Sequence, residues 1–214
     1  MKEGVKMKRG TTWVFGLILI CLFVAGIGAR SAFRRITQHS RSGYTLTSEA
    51  KQYNQDGTSR RLFFETRYVS TNGNWHDVKD YDGGMVINTF GIVGQGVFAR
   101  RNADNNLSFL SSYDQPGPVL TAEGFQQHGF LRTETLLGHQ IFVTNPINTP
   151  QVELYNDPLL DGAVIKMVHK KDTNTVVIEP LAVVMGEPSA SALLMPTGLQ
   201  VSYDTFNNLH KTND

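Results

Sequence analysis

Asn72-Gly73 sits between two stretches of opposite direction, "RRLFFETRYVS" before it and "WHDVKDY" after it. An Asn-Gly pair flanked by alternating side chains is the strongest short-range hairpin signal, because both residues tolerate positive φ. In the second stretch Trp75, Asp77, Lys79 and Tyr81 lie two apart and share one strand face, with Val78 on the other. The spacing predicts a hairpin over residues 61 to 81.

The same grammar repeats along the chain. "YTLTSEAKQY" runs into a turn at Asp56-Gly57, "GMVINTFGIVGQGVFARR" is β-prone and broken by glycines, and "LSFLSS" returns from a turn at 103 to 106. "LRTETLLGHQIFVTN" reads as two strands about Gly138, and "QVELYND" is short and extended. "AVIKMVHKK" and "TVVIEPLAVVM" flank "DTNT" as a second hairpin, rich in β-branched residues, with Pro180 expected to end regular pairing or to lie on an edge. Helical character is confined to "TAEGFQQHGF" and "SASALLM", the latter with Ser189 as its N-cap. The fold class that follows is mainly β (a β-rich α+β chain): a curved antiparallel sheet with one or two short helices and short turns.

The region before Tyr44 follows a different rule. "TTWVFGLILICLFVAGIGA", residues 11 to 29, holds no charge and is apolar all round. As a helix it reaches roughly 28 Å, close to a bilayer's hydrocarbon core. Lys2, Lys6, Lys8 and Arg9 precede it, and Arg30, Arg34, Arg35 and Arg41 follow. The run is long for a signal peptide, and Ile27 spoils a cut after Ala29. It is therefore expected to be an uncleaved N-terminal transmembrane anchor, with cleaved secretion as the alternative. Cys21, the one cysteine, follows Ile20 and fails the lipobox. The resulting organisation is a basic flank (1–10), an anchor (11–29), a basic juxtamembrane linker (30–43), a β-rich extracytoplasmic domain (44–205) and a polar tail (206–214). Flanking charge ties on the two sides, so the signal-like N-terminal placement sets the expected orientation, with the domain outside an inner (cytoplasmic) membrane.

Chemistry is sparse. With 20 basic and 19 acidic side chains the net charge is +1, which excludes a general nucleic-acid binder. A single cysteine excludes internal disulfides and thiolate metal sites. Gly91, Gly94 and Gly96 miss phosphate-loop spacing and read as turn or bulge glycines. His39, His76, His128, His139, His169 and His210 form no metal-ligand spacing, and His76 and Asp77, being adjacent, point to opposite faces. No nucleophile elbow is present, and the serines of "SGY" and "SSY" read as turn residues. Glu65, Glu134, Glu153 and Glu179 sit in strand-like sequence and are expected on solvated faces. No catalytic residue, metal or cofactor is expected. The aromatics Phe63, Phe64, Tyr68, Trp75, Tyr81, Phe90, Phe98, Phe109, Phe125, Phe130 and Phe142 supply a core, and a strongly curved sheet could keep an apolar cavity among them.

One resemblance adds to this reading. "LLGHQIFVT", then "VELYNDPLLDG", the "VIK" strand and "GEPSASALLMPTG", with Leu194, Pro196 and Gly198 in the closing places, resemble the end of periplasmic proteins related to the lipoprotein carrier LolA. The likeness covers about residues 130 to 200. It implies a curved sheet over one or two helices whose apolar concave face holds acyl chains, hence a lipid or lipoprotein ligand. The resulting expectation is a membrane-anchored envelope protein that binds an apolar or lipid-like ligand or a partner protein. An envelope hydrolase with a dispersed catalytic pair and a structural subunit of a membrane complex are the alternatives.

Overall fold

The computed structural model describes residues 41–117, 120, 124–125, 129–146 and 149–202. All belong to the second of the chain's two units, Ser40–Asp214. The apolar run 11–29, most of the "TAEGFQQHGF" segment, the polar tail, and His39, His128 and His210 lie outside the described residues. Among the described residues no helix is long and apolar enough to cross a membrane.

Among the described residues twelve strands form one sheet: β1 (Tyr44–Asn54), β2 (Ser59–Val69), β3 (Trp75–Tyr81), β4 (Val86–Ile92), β5 (Gly96–Arg101), β6 (Asn106–Ser111), β7 (Phe130–Leu136), β8 (His139–Thr144), β9 (Val152–Asp157), β10 (Ala163–Lys170), β11 (Asn174–Met185) and β12 (Gln200–Ser202). Their order is β12-β6-β5-β4-β3-β2-β1-β11-β10-β9-β8-β7. The expected hairpins are β2–β3 and β10–β11. Pairing is antiparallel except at β12, which lies parallel to β6 because the chain after β11 travels back to the other edge of the sheet. The described helix is α1 (Ala190–Leu193), capped by the Ser189 side chain.

Pro180 does not end its strand. β11 runs on to Met185 against β1, with Leu181 bulged out between Pro180 and Ala182. However, β10 pairs with β11 only from Met167 to Lys170, so Pro180 lies where β11 has lost that neighbour and needs no donor on that side. Lys166 and Glu179 meet at 3.1 Å where the two strands part. Released from β11, the start of β10 and the 3-10 turn Pro158–Leu160 before it approach the start of β1. There the Ser42 amide donates to Asp161 Oδ2 at 2.9 Å. In a flat sheet two strand spacings, roughly 10 Å, would separate them. The sheet is therefore curved.

Curvature gives one sheet two cores. On the inner face Tyr44, Leu46, Ile141, Val143, Tyr155, Leu160 and Ile165 are buried together. Full burial of each aliphatic side chain stabilises by about 1.5–3 kcal/mol. On the outer face Phe90, Phe98 and Leu107 are buried beneath Met195 and Leu199 of the returning chain. His76 fastens that strap. Its ring stacks on Phe90 at 4.2 Å and on Tyr68 at 5.8 Å. Nδ1 donates to the Ala192 carbonyl at 2.7 Å, and Nε2 faces Asn88 Oδ1 at 3.0 Å.

Loss of His76 frees α1 from the outer face without opening the inner core. His76→Ala is expected to raise amide exchange in residues 190–202 by about tenfold, the effect of one lost hydrogen bond, with β1–β2 protection unchanged. Separately, burial pushes the Tyr44 phenol up to about 12. Its proton is held more tightly in the folded state, so this stability is complete below about pH 10 and is lost as pH rises towards 12, by about 2–3 kcal/mol. Tyr81, Tyr113 and Tyr155 are raised too. Tyr44→Phe is therefore expected to reduce, not abolish, the fall in urea midpoint between about pH 9 and about pH 11.5.

Candidate ligand-binding pocket

Strand register assembles the pocket. Across β1, β2, β3 and β4 the inner-face row at one end of the sheet is Tyr44, Val69, Trp75 and Gly91. The next row inward is Leu46, Arg67, Asp77 and Thr89, and the next is Ser48, Glu65, Lys79 and Ile87. Gly91 is neither turn nor bulge: it is a strand residue, and a Cβ there would overlap the Trp75 indole. Gly94, at φ +77°, is the turn glycine of this group.

The floor is an ion-pair network. Arg67 meets Asp77 with two bonds, Nε to Oδ1 at 2.8 Å and Nη2 to Oδ2 at 3.0 Å. Glu65 accepts from Arg67 Nη2 at 3.2 Å and faces Lys79 at 3.7 Å. Two cations thus neutralise two anions. Burial alone would lower the Arg67 pKa, but the charges of Asp77 and Glu65 outweigh it and raise it. The expectation of a solvated Glu65 is corrected: it is 7% exposed, as is Asp77. Burial is tolerated because each carboxylate has its cation. Glu134 and Glu153 share Arg132 instead, and Glu179 stays half-exposed beside Lys166.

Walls and rim come from loops. The Tyr113 ring stands edge-on to Trp75 at 6.4 Å, and its hydroxyl donates to the Gly73 carbonyl at 2.9 Å. Burial pushes its phenol up, against the lowering effects of Arg41 and of a hydrogen bond with Trp75. Arg41 donates to the Gly117 carbonyl. The turn at 70–74 is held from behind by Glu187, which accepts from the Ser70 hydroxyl and, at 2.9 Å, from the Thr71 amide. These two donors keep the Glu187 carboxyl below its usual range. The result is a half-open cavity of about 300 Å³ lined by Arg41, Tyr44, Arg67, Val69, Gly73, Trp75, Asp77 and Tyr113.

Of the aromatics singled out by sequence, Trp75 reaches this pocket. Phe90, Phe98, Phe125 and Phe142 are core. Tyr44 and Tyr113 carry its walls, yet each follows a serine-containing segment that reads as turn, so spacing did not single them out. His139 Nδ1 is taken by buried Asp157 at 2.5 Å, and the other oxygen of Asp157 caps Leu159. His139 and His76 therefore spend these atoms on structure, not on a serine hydroxyl. Among the described residues no three His, Cys, Asp or Glu side chains come together as a metal site.

No protein-family model matches the sequence, and no curated protein is similar to it. Among solved structures the chain is similar to a LolA superfamily protein from Nitrosomonas europaea, at 10% identity over 75% of this chain and 93% of that one, with a TM-score of 0.35. It is also similar to MucB in complex with MucA(peri), at 13% identity over 82% of this chain, with a TM-score of 0.40, and to MucB by itself, at 14% and 0.35. It spans 62% and 65% of those two MucB chains. The chain thus bears a weak likeness to LolA-like proteins.

Proposed function

We propose that this domain is a non-catalytic binding module of the cell envelope, held at the membrane by residues 11–29. Its inner-face pocket receives an apolar group carried by a lipid-like molecule or by a partner protein. The observation that carries this reading is a cavity of about 300 Å³ with aromatic walls over a floor of mutually neutralised charges. That volume lies at the lower end for ligand sites, and suits one acyl chain or one bulky side chain rather than a whole diacyl lipid. Arg67 is spent on Asp77 and Glu65, so its charge is already neutralised within the floor and is not directed at a bound group. Arg41, at the rim, can face a polar or anionic head.

The test is titration of the purified full chain with a dansyl-labelled fatty acid, read by energy transfer from tryptophan in a Trp13→Phe background that leaves Trp75 as donor. Saturable transfer is expected. Val69→Phe, which fills the cavity from its wall, is expected to weaken binding by about tenfold, equal to about 1.4 kcal/mol. Unsaturable transfer, or equal affinity in the Val69→Phe variant, overturns the reading.

A further inference from the structure

The polar side chains around the pocket divide into those already paired and those still open. Asp77 gives both carboxylate oxygens to Arg67, and Glu65 takes Arg67 and Lys79. The Tyr113 hydroxyl donates to the Gly73 carbonyl and shares a hydrogen bond with Trp75. The carboxylate and the second phenol of the lining are thus occupied. Two donors remain.

The first is the Tyr44 hydroxyl. Tyr44 is 4% exposed, yet among the described residues its oxygen meets no hydrogen-bond partner. Nor is that oxygen sealed in protein, since the sealed side-chain atom left without a partner is Asn174 Oδ1, in the β10–β11 hairpin. The hydroxyl therefore opens on the cavity that Tyr44 lines. Burial pushes this phenol up to about 12 against the pull of Arg67, so it keeps its proton at neutral pH and can donate it. A buried donor without an acceptor is a cost that a ligand's acceptor removes.

The second is Arg41. Its bond goes to the Gly117 carbonyl, and among the described residues it forms no ion pair. Asp161 feels its charge, but desolvation raises that carboxyl against the pull of Arg41, and Asp161 Oδ2 is held by the Ser42 amide. A guanidinium carries five N–H donors, so one carbonyl leaves most of them open. Arg67 and Lys79 balance Asp77 and Glu65 in the floor, which leaves Arg41 as the cation of the lining outside that network.

These two groups narrow the chemistry of the ligand. A wholly apolar ligand would cover the Tyr44 hydroxyl and the Arg41 charge and give neither a partner. A cationic head would meet Arg41 as a like charge. An oxyanion accepts from both, while the body of the molecule lies against Trp75, Val69 and Tyr113. We propose that the pocket selects an amphiphile whose head is an oxyanion, a carboxylate or a phosphate monoester, with the Tyr44 hydroxyl as its buried donor and Arg41 as its counter-charge at the rim. This rests on the reading that the pocket takes an apolar group, and adds what that group must carry.

The experiment loads the purified full chain with the dansyl-labelled fatty acid and displaces it with octanoate, octyl phosphate, 1-octanol or octylammonium, which share one chain and differ in the head. Octanoate or octyl phosphate is expected to act at a concentration about tenfold below that of 1-octanol, with octylammonium the weakest. The tighter of the two oxyanions identifies the head as carboxylate or phosphate. Equal displacement by the oxyanions and 1-octanol overturns the proposal and leaves the apolar reading in place, whereas displacement by none of the four overturns both. Tyr44→Phe deletes the hydroxyl and keeps the ring, and Arg41→Gln removes the charge at the rim. Each is expected to reduce the preference for octanoate over 1-octanol severalfold. A preference unchanged in Arg41→Gln overturns its role as counter-charge, and one unchanged in Tyr44→Phe overturns the hydroxyl as donor. Should Tyr44→Phe lose its near-ultraviolet dichroism, Arg41→Gln and the comparison of heads carry the test.

Discussion

The pocket end of the domain depends on what meets the first residues of β1. Ser42 donates its amide to Asp161, and the Gly43 carbonyl accepts from Gly186. Gly43 lies so close to Glu187 that a Cβ would stand 2.9 Å from its Cα. Glu187 then reaches across to hold the 70–74 turn. Segments more than a hundred residues apart are thus fixed to one backbone position that tolerates no side chain. This junction is polar and short-ranged, yet it sets where the apolar elements can pack, because it decides how far the start of β10 comes over the inner face.

One sheet with two cores is the consequence. A sheet needs cover on at least one face. Here the inner face is covered by the curve of the sheet itself over β8–β10, and the outer face of β4–β6 by the returning strap. Between the two cores the inner face of β2–β3 keeps its charges. Arg67, Asp77, Glu65 and Lys79 are stable there because each charge has a partner within the same two strands, and removal of Arg67 leaves Asp77 buried without its cation. The floor beneath the aromatic walls is thus mutually neutralised.

Strand positions were legible in the sequence to a useful degree. The alternation around Trp75, Asp77, Lys79 and Tyr81, the β-branched run at 175–178 and the turn glycines each express a local rule, and local rules survive in any fold that uses them. Ser189 as a helix cap was legible for the same reason. The site was much less so. Glu65 looked like a solvated strand acid because only its cross-strand neighbours Arg67 and Lys79 decide whether it can be buried. Gly91 looked like a turn glycine because its reason, the Trp75 ring lying over it, comes from the neighbouring strand. Tyr44 and Tyr113 meet at one cavity although 69 residues separate them in the chain.

By itself the sequence determined the strand grammar, the short helix cap, the turn positions and the segregation of an uncharged run with basic flanks from a net acidic domain, since all of these are properties of neighbouring residues. Tertiary structure alone decided the parting of β10 from β11 at Pro180, the burial of the Arg67 network and the fastening of the strap by His76. Each of these turns on contacts between residues distant in the chain, and the energy of such a contact exists only once curvature has brought its two partners together.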